Sequence, residues 1–128
     1  MDKKKLIVIL IAVILVAAAA AVVIALLLNR DPQVGKFDLA EYRTEIEAFP
    51  SDEAIGPVKD AKDLLEKAEK VLKKVFGDTV DDEKPYSVSY DEKNGAWLVS
   101  GKPGPGEGGE AHIIVENSGK VLAVWHEK

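Results

Sequence analysis

The pattern of apolar and polar residues separates a continuous apolar run near the start of the chain from an amphipathic remainder. The run extends from Leu6 to Leu28 and contains no charge, no amide and no proline. At about 1.5 Å rise per residue, a helix of this length crosses the hydrocarbon core of a bilayer, which is about 30 Å thick. The run therefore predicts a transmembrane helix over residues 6–28.

The residues that flank and fill this run bear on its processing and orientation. A cleaved signal peptide is an alternative, because residues 17–21 are all alanine, but the run is longer than the usual signal core of about 7 to 15 residues. We therefore expect an uncleaved signal anchor. Because Lys3, Lys4 and Lys5 precede the run, residues 1–5 are predicted to be cytoplasmic. This interpretation gives a single-pass protein of the cell membrane with an extracytoplasmic C-terminal domain.

The segment after the apolar run, residues 29–56, is predicted to be a tether. Its first residues combine charge, proline and glycine. Asp38 is a good helix N-cap, so we expect a short helix over residues 38–48 that is either a stalk or the first helix of the fold. Pro50 disfavours the helical conformation at Phe49, so the helix should end there.

The clearest helical period begins at Asp60 and opens a predicted domain over residues 57–128. Asp60 is a favoured N-cap residue, and Gly77 suits the left-handed position that follows a helix. The apolar residues between them recur on one helical face. They are Ala61, Leu64, Leu65, Ala68, Val71, Leu72 and Val75. We expect this face to pack on a sheet.

From Tyr86 onwards the apolar period changes to two, which is the period of β-strands. Strands are predicted at residues 86–90, 96–100, 111–115 and 121–126. Asn94 and Gly95 are typical of a hairpin turn between the first two. The prediction is an α+β fold with one main helix on an antiparallel sheet of about four strands, whose second face is partly wet. Trp97 and Trp125 are expected to be core or sheet-face residues.

Composition excludes several classes of function. The 128-residue chain has a formal net charge of −5, which disfavours nucleic acid as a partner and leaves a protein partner open. It contains no cysteine, so disulfides, iron-sulfur clusters and cysteine nucleophiles are excluded. The oligomeric state is not determined by the sequence.

No group of residues indicates catalysis, a cofactor or a metal. A tight turn at Ser118 and Gly119 would set His112 and His126 on opposite faces of the sheet, which disfavours a shared metal. The acidic residues 81–83 lack the spacing of a calcium loop and are interpreted as a solvated turn. Residues 104–109 match G-x-G-x-x-G but precede a strand, which argues against nucleotide binding. We therefore expect a protein that is not an enzyme.

The order of features in about the last 70 residues resembles the bacterial immunity proteins that have a nuclear transport factor 2 fold. The residues that carry this resemblance are Pro85, Tyr86, Trp97, Gly101, Gly108, Gly109, Gly119, His126 and Lys128. The resemblance implies a cystatin-like half-barrel, in which a helix is cradled by a curved sheet. It also implies a protein that binds and neutralises a toxin of a polymorphic toxin system, with no catalytic residues.

Two other functions remain as alternatives. PepSY domains also join a helix to an antiparallel sheet, so the protein could be an external regulator of an envelope peptidase. A small-molecule site in the concave face of the sheet is the third hypothesis, and it requires a deep cavity lined by polar groups.

Overall fold

The computed structural model describes residues 3–5, 7–8, 32–102 and 109–127 of the chain. Residues fall into two compact units, Met1–Asp31 and Pro32–Lys128. In the first unit the described residues are helical. All further structural statements concern the second unit.

The predicted transmembrane helix requires a correction. Among the residues that the structure describes, no helix is long and apolar enough to cross a membrane. Of the segment 6–28, only residues 7 and 8 belong to that described part, so Leu6 and Leu28 lie outside it. The transmembrane helix and the single-pass cell-membrane localisation, which rested on hydropathy and on the flanking lysines, are withdrawn.

The described residues of the second unit form two α-helices, two 3-10 helices and one sheet. The helices are α1, Arg43–Ala48, and α2, Ala61–Phe76, with 3-10 helices at Leu39–Tyr42 and Asp78–Glu83. The strands are β1, Val34–Lys36; β2, Ser87–Asp91; β3, Ala96–Ser100; β4, Ala111–Glu116; and β5, Val121–His126.

Helix α2 forms where the apolar period predicts it. The Asp60 carboxylate accepts a hydrogen bond from the backbone N–H of Asp63 (2.8 Å), which satisfies one of the unpaired donors of the first turn. The helix ends at Gly77, whose φ of +82° lies in a region that other residues rarely adopt. Its buried residues are Ala61, Leu64, Ala68, Val71 and Leu72. They form the main core with the strands.

The sheet has five strands in the order β1-β2-β3-β4-β5, so the expected number of about four is corrected. The pairs from β2 to β5 are antiparallel, as predicted, whereas β1 pairs parallel to β2 from within the predicted tether. Three residues are too short to display a period of two, and β1 was therefore missed. Between β4 and β5 the register shifts at Ile114/Val115, which leaves Leu122 as the extra residue of a bulge.

Each face of the sheet has its own core. On the first, which we call the helix face, α2 packs against buried residues of β2 to β5, among them Val99 and Ile113. On the opposite face Leu98, Ile114, Ala123 and Trp125 form a second cluster. Residues of the segment 37–46 cover this second cluster, so the expected partly wet face is wrong.

Asp91 connects the segment 39–48 to the end of β2. Its carboxylate accepts hydrogen bonds from the backbone N–H of Leu39 (2.8 Å) and from the side-chain amide of Asn94 (2.7 Å). These bonds hold the pKa of Asp91 below its usual range, with the Asn94 bond as the largest cause. An ionised carboxylate therefore orients the start of this segment against the sheet.

The connection between α1 and α2 runs antiparallel along β5. Val124 N–H donates to the Phe49 carbonyl (3.2 Å), and Val121 N–H donates to the Glu53 carbonyl (3.1 Å). Ile55 N–H donates in turn to the Gly119 carbonyl (2.8 Å). We call residues 49–58 the β5 strap.

Candidate functional site

One group of half-buried and exposed side chains lies on the helix face, between the β1 edge of the sheet and the turn that joins β4 to β5. We call it the aromatic patch, and it consists of Val34, Lys36, Tyr90, Trp97 and Asn117. Lys36 pairs with Tyr90, Tyr90 pairs with Trp97, and Trp97 pairs with Val115. Directly paired residues point to the same face, so this register builds a row of side chains across four strands.

Burial falls along this row from β4 to β1. Val115 is fully buried, Trp97 and Tyr90 are half-buried, and Lys36 is exposed. The reason is that α2 makes its main contacts with the sheet at β4. Val34, beside this row on β1, is 46% exposed. The aromatic patch is therefore the part of the helix face that the helix leaves open.

The two rings of the patch are held in place by polar contacts. The ring centroids of Tyr90 and Trp97 lie 4.3 Å apart. Trp97 Nε1–H donates to Asn117 Oδ1 (2.8 Å), and Asn117 Nδ2 donates to the Tyr90 hydroxyl (2.9 Å). Both polar ends of the rings are thus satisfied by one amide from the turn between β4 and β5. Such a pair presents apolar area without losing much side-chain freedom on binding.

A second group of residues surrounds Glu83, which is buried although residues 81–83 were interpreted as a solvated turn. Glu83 Oε1 accepts from the backbone N–H of Ala111 (2.7 Å), and His126 Nε2 lies 3.3 Å from Glu83 Oε2. Gly101 packs against this carboxylate, and a Cβ at position 101 would collide with it. The solvated-turn interpretation holds for the exposed Asp81 and Asp82 and is wrong for Glu83.

Several residues of the family resemblance lie in or near this Glu83 cluster. The Tyr86 hydroxyl donates to the Val80 carbonyl (2.8 Å), and burial raises the pKa of Tyr86 to about 12. Pro85, which follows a cis peptide bond, is exposed. Gly109 N–H donates to the Glu127 carbonyl (3.1 Å) beside His126, whose ring meets that of Phe76. These contacts join the 3-10 helix 78–83 to the end of the sheet where β4 begins and β5 ends.

The remaining residues of the resemblance lie apart. Trp97 belongs to the aromatic patch, and Gly119 lies in the β4–β5 turn beneath Gly56 of the β5 strap. Gly108 and Lys128 lie outside the described residues. The structure therefore does not bring the predicted set together at one site.

The two histidines occupy opposite faces of the sheet, as the sequence predicted. His112 pairs with Trp125 and Ala111 pairs with His126. Neighbouring residues of a strand point to opposite faces, which separates the two imidazoles.

Tyr90, Asn117 and Lys36 of the aromatic patch were missed in the sequence. Tyr90 was recognised as part of a strand, but its relation to Trp97 depends on the exact register of β2 and β3. Asn117 was recognised as a turn residue, but a turn motif in the sequence does not predict which residues its side chains contact. The Asn94-Gly95 hairpin, by fixing that register, was the available clue.

The interior beneath α2 bears on the hypothesis of a small-molecule site. Leu64 and Leu72, both fully buried, pack there with residues such as Ile113. A groove of about 350 Å³ lies instead between α2 and the β5 strap, where Lys67, Lys70 and Lys74 line it with Ile55 and Val71. Helix side chains thus fill the space that a ligand in the concave face would require.

A family model described as NTF2 fold immunity protein matches residues 65–128, which is half of the chain. The match includes most of α2, strands β2 to β5 and the turn that carries Asn117. It confirms the resemblance inferred from the sequence. No curated protein and no solved structure matches the chain.

Proposed function

Because the chain belongs to the family of NTF2 fold immunity proteins, we propose that it binds a bacterial protein toxin and neutralises it. The family match is the observation that carries this proposal. Neutralisation by binding needs a surface and no chemical step, so the proposed role is that of an inhibitor and not of an enzyme. The partner is a protein.

The aromatic patch is the surface proposed to contact the toxin. Tyrosine and tryptophan are enriched among the residues that carry most of the binding energy at protein interfaces. In the patch these two side chains are already fixed by Asn117, so docking costs little additional side-chain entropy. The exposed Val34 and Lys36 extend the patch along β1 with an apolar and a cationic group.

Charge favours a basic toxin. The chain has a net charge of −5, and an acidic protein attracts a basic partner over distances comparable with the Debye length. Complementary charge mainly raises the association rate and selects against acidic partners. We expect the affinity of the complex to fall as salt concentration rises.

A protection assay tests the proposal. The full chain is co-expressed with the toxin encoded beside it, and survival of the cells is measured together with the Kd of the purified pair. The variants Tyr90→Ala and Trp97→Phe should weaken binding, with Tyr90→Ala raising Kd by about 30-fold, which corresponds to a hot spot of about 2 kcal/mol.

Phe49→Ala provides the matched control, because Phe49 is also an exposed aromatic residue (47%) but belongs to the β5 strap. Its Kd should stay within about two-fold of the unmodified protein. If the folded protein neither binds the toxin nor protects cells, the proposed function is wrong. If it protects but Tyr90→Ala and Phe49→Ala behave alike, the toxin contacts a different surface.

A further inference from the structure

Three metal-ligating side chains converge on the opposite face of the sheet, far from the turn that carries Asn117. They belong to Glu110, His112 and Glu127, and one ligand atom from each lies within 4.8 Å of the other two. Glu127 N–H donates to the Glu110 carbonyl (3.0 Å), so the two glutamates are neighbours across β4 and β5. Because Glu110 and His112 are two residues apart, their side chains share one face.

His112 has a buried nitrogen that lacks a hydrogen-bond partner. Its side chain is only 9% exposed, and Nε2 forms no hydrogen bond among the described residues. Nε2 nevertheless points between the carboxylates, 3.2 Å from Glu127 Oε1 and 3.8 Å from Glu110 Oε2. Glu127 Oε1 lies within hydrogen-bonding distance of Nε2, but the angle between the two groups does not allow a hydrogen bond. A buried polar atom of this kind requires an explanation.

The rest of the imidazole is held as in a metal site. His112 Nδ1 lies 2.7 Å from Ser100 Oγ, and a proton on Nδ1 leaves the Nε2 lone pair free. Histidines that bind metals commonly use the second ring nitrogen in this way, which fixes the tautomer and the ring orientation. The Trp125 ring stacks on the imidazole at 4.9 Å, which further restricts the ring plane.

From this arrangement we propose that Glu110, His112 and Glu127 bind a divalent transition-metal ion of the Zn²⁺ type. One imidazole nitrogen and two carboxylates form a donor set that suits Zn²⁺ and disfavours Mg²⁺ and Ca²⁺, which prefer oxygen ligands. Two carboxylates also balance the charge of a divalent ion. Without a cation, like charges in neighbouring positions of paired strands repel each other.

The distances agree with this assignment. Ligand atoms that bind tetrahedral Zn²⁺ at about 2.0–2.2 Å lie about 3.3–3.6 Å from one another. The separations of 3.2 and 3.8 Å from His112 Nε2 to the two carboxylates lie on either side of that range. Small rotations of the half-buried Glu110 and the exposed Glu127 complete the site. Three protein ligands leave a fourth position for water.

The test uses the full chain without an affinity tag, freed of metal by a chelator and titrated with Zn²⁺ by calorimetry. We expect one Zn²⁺ per chain. Zinc at about one hundred times its Kd should raise Tm by about 10 °C, whereas Mg²⁺ at the same concentration should leave Tm unchanged.

Variants identify the ligands. His112→Asn removes Nε2 while it keeps a polar group near Ser100, and Glu127→Gln changes an exposed side chain with little risk to folding. Each should weaken Zn²⁺ binding at least about ten-fold, and Ser100→Ala should weaken it about ten-fold through the position of the ring. His126→Asn is the matched control, because the second histidine of the chain lies on the other face.

Four results would overturn the proposal. They are an unmodified protein that shows no saturable Zn²⁺ binding, binding that survives Glu127→Gln and Glu110→Gln, loss of binding in His126→Asn, and an equal response to Mg²⁺. If His112→Asn fails to fold, the two glutamine variants decide the question. The readout does not involve a toxin, so the outcome is independent of the proposed immunity function.

Discussion

Replacement of Gly119 by alanine should destabilise the protein more than the same replacement at Gly77. Both glycines have a positive φ, +92° at Gly119 and +82° at Gly77. A Cβ at Gly77 meets nothing within 4 Å, whereas a Cβ at Gly119 would lie 2.6 Å from Gly56 N and collide with the Gly56 carbonyl. The comparison therefore separates backbone strain from the close approach of two chain segments.

The expected magnitudes follow from these two contributions. A residue with a side chain in such a conformation costs about 1–3 kcal/mol, and this cost applies to both variants. At Gly119 the β5 strap must also move, which weakens the hydrogen bonds from Ile55 N–H to Gly119 O (2.8 Å) and from Val58 N–H to Asn117 O (3.0 Å). At about 0.5–1.5 kcal/mol each, their loss adds about 1–3 kcal/mol to the destabilisation of Gly119→Ala.

Urea denaturation of the two variants and the unmodified protein measures this difference as the free energy of unfolding, provided that the m-values agree. Amide hydrogen exchange at Ile55 and Val58 should also accelerate more in Gly119→Ala than in Gly77→Ala. Equal free energies of unfolding for the two variants, within about 0.5 kcal/mol, would refute the argument that the Gly56–Gly119 contact requires glycine.

Three further predictions concern the core and the ionisable groups. Leu64→Ala should lower the free energy of unfolding by about 2–5 kcal/mol, because Leu64 is fully buried. Leu65→Ala, at the adjacent and half-buried position, should lower it less. Equal losses in the two variants would contradict the assignment of the buried face of α2. The folded-state pKa of Tyr86, about 12, is raised above its ordinary value of 10, so stability present below pH 10 should be lost as pH rises towards 12. An absorbance titration of tyrosinate should show this late ionisation, and Tyr86→Phe should remove it. If the late step persists in Tyr86→Phe, it belongs to another tyrosine and the prediction for Tyr86 is wrong. The lowered pKa of Asp91 stabilises the fold above the unfolded-state pKa of about 3.9, so Asp91→Asn should be less stable than the unmodified protein at pH 7. This gap should close as pH falls through the folded-state pKa, and a gap independent of pH would show that the carboxylate charge is irrelevant.

The elements that the sequence predicted best are those with a long regular period. Helix α2 repeats its apolar positions over 16 residues between a clear N-cap and a glycine. Strands β2 to β5 are runs of five or six residues separated by turn residues, and β5 alternates buried and less buried positions along its length. The period determines which residues face inward, and this sufficed to predict a helix on a sheet.

Elements that depend on distant contacts were predicted poorly. Strand β1 is recognisable only from its pairing with β2, which lies more than fifty residues further along the chain. Glu83 looks like a solvated acid in its local sequence, and its burial depends on Gly101 and on the N–H of Ala111. The carboxylates of Glu110 and Glu127 come together only through the register of β4 and β5. The spacing of residues along the chain does not predict any of these long-range contacts.

The β5 strap has a consequence for how the protein behaves at high concentration. Unpaired strand edges are templates for adding strands from other molecules, and exposed edges promote aggregation. The strap occupies the outer side of β5, an apolar strand that would otherwise offer such a template. In the described part of the chain this leaves β1, three residues long and ending in an exposed lysine, as the free edge. Loosening of the strap would therefore reveal itself first as self-association, before any loss of secondary structure.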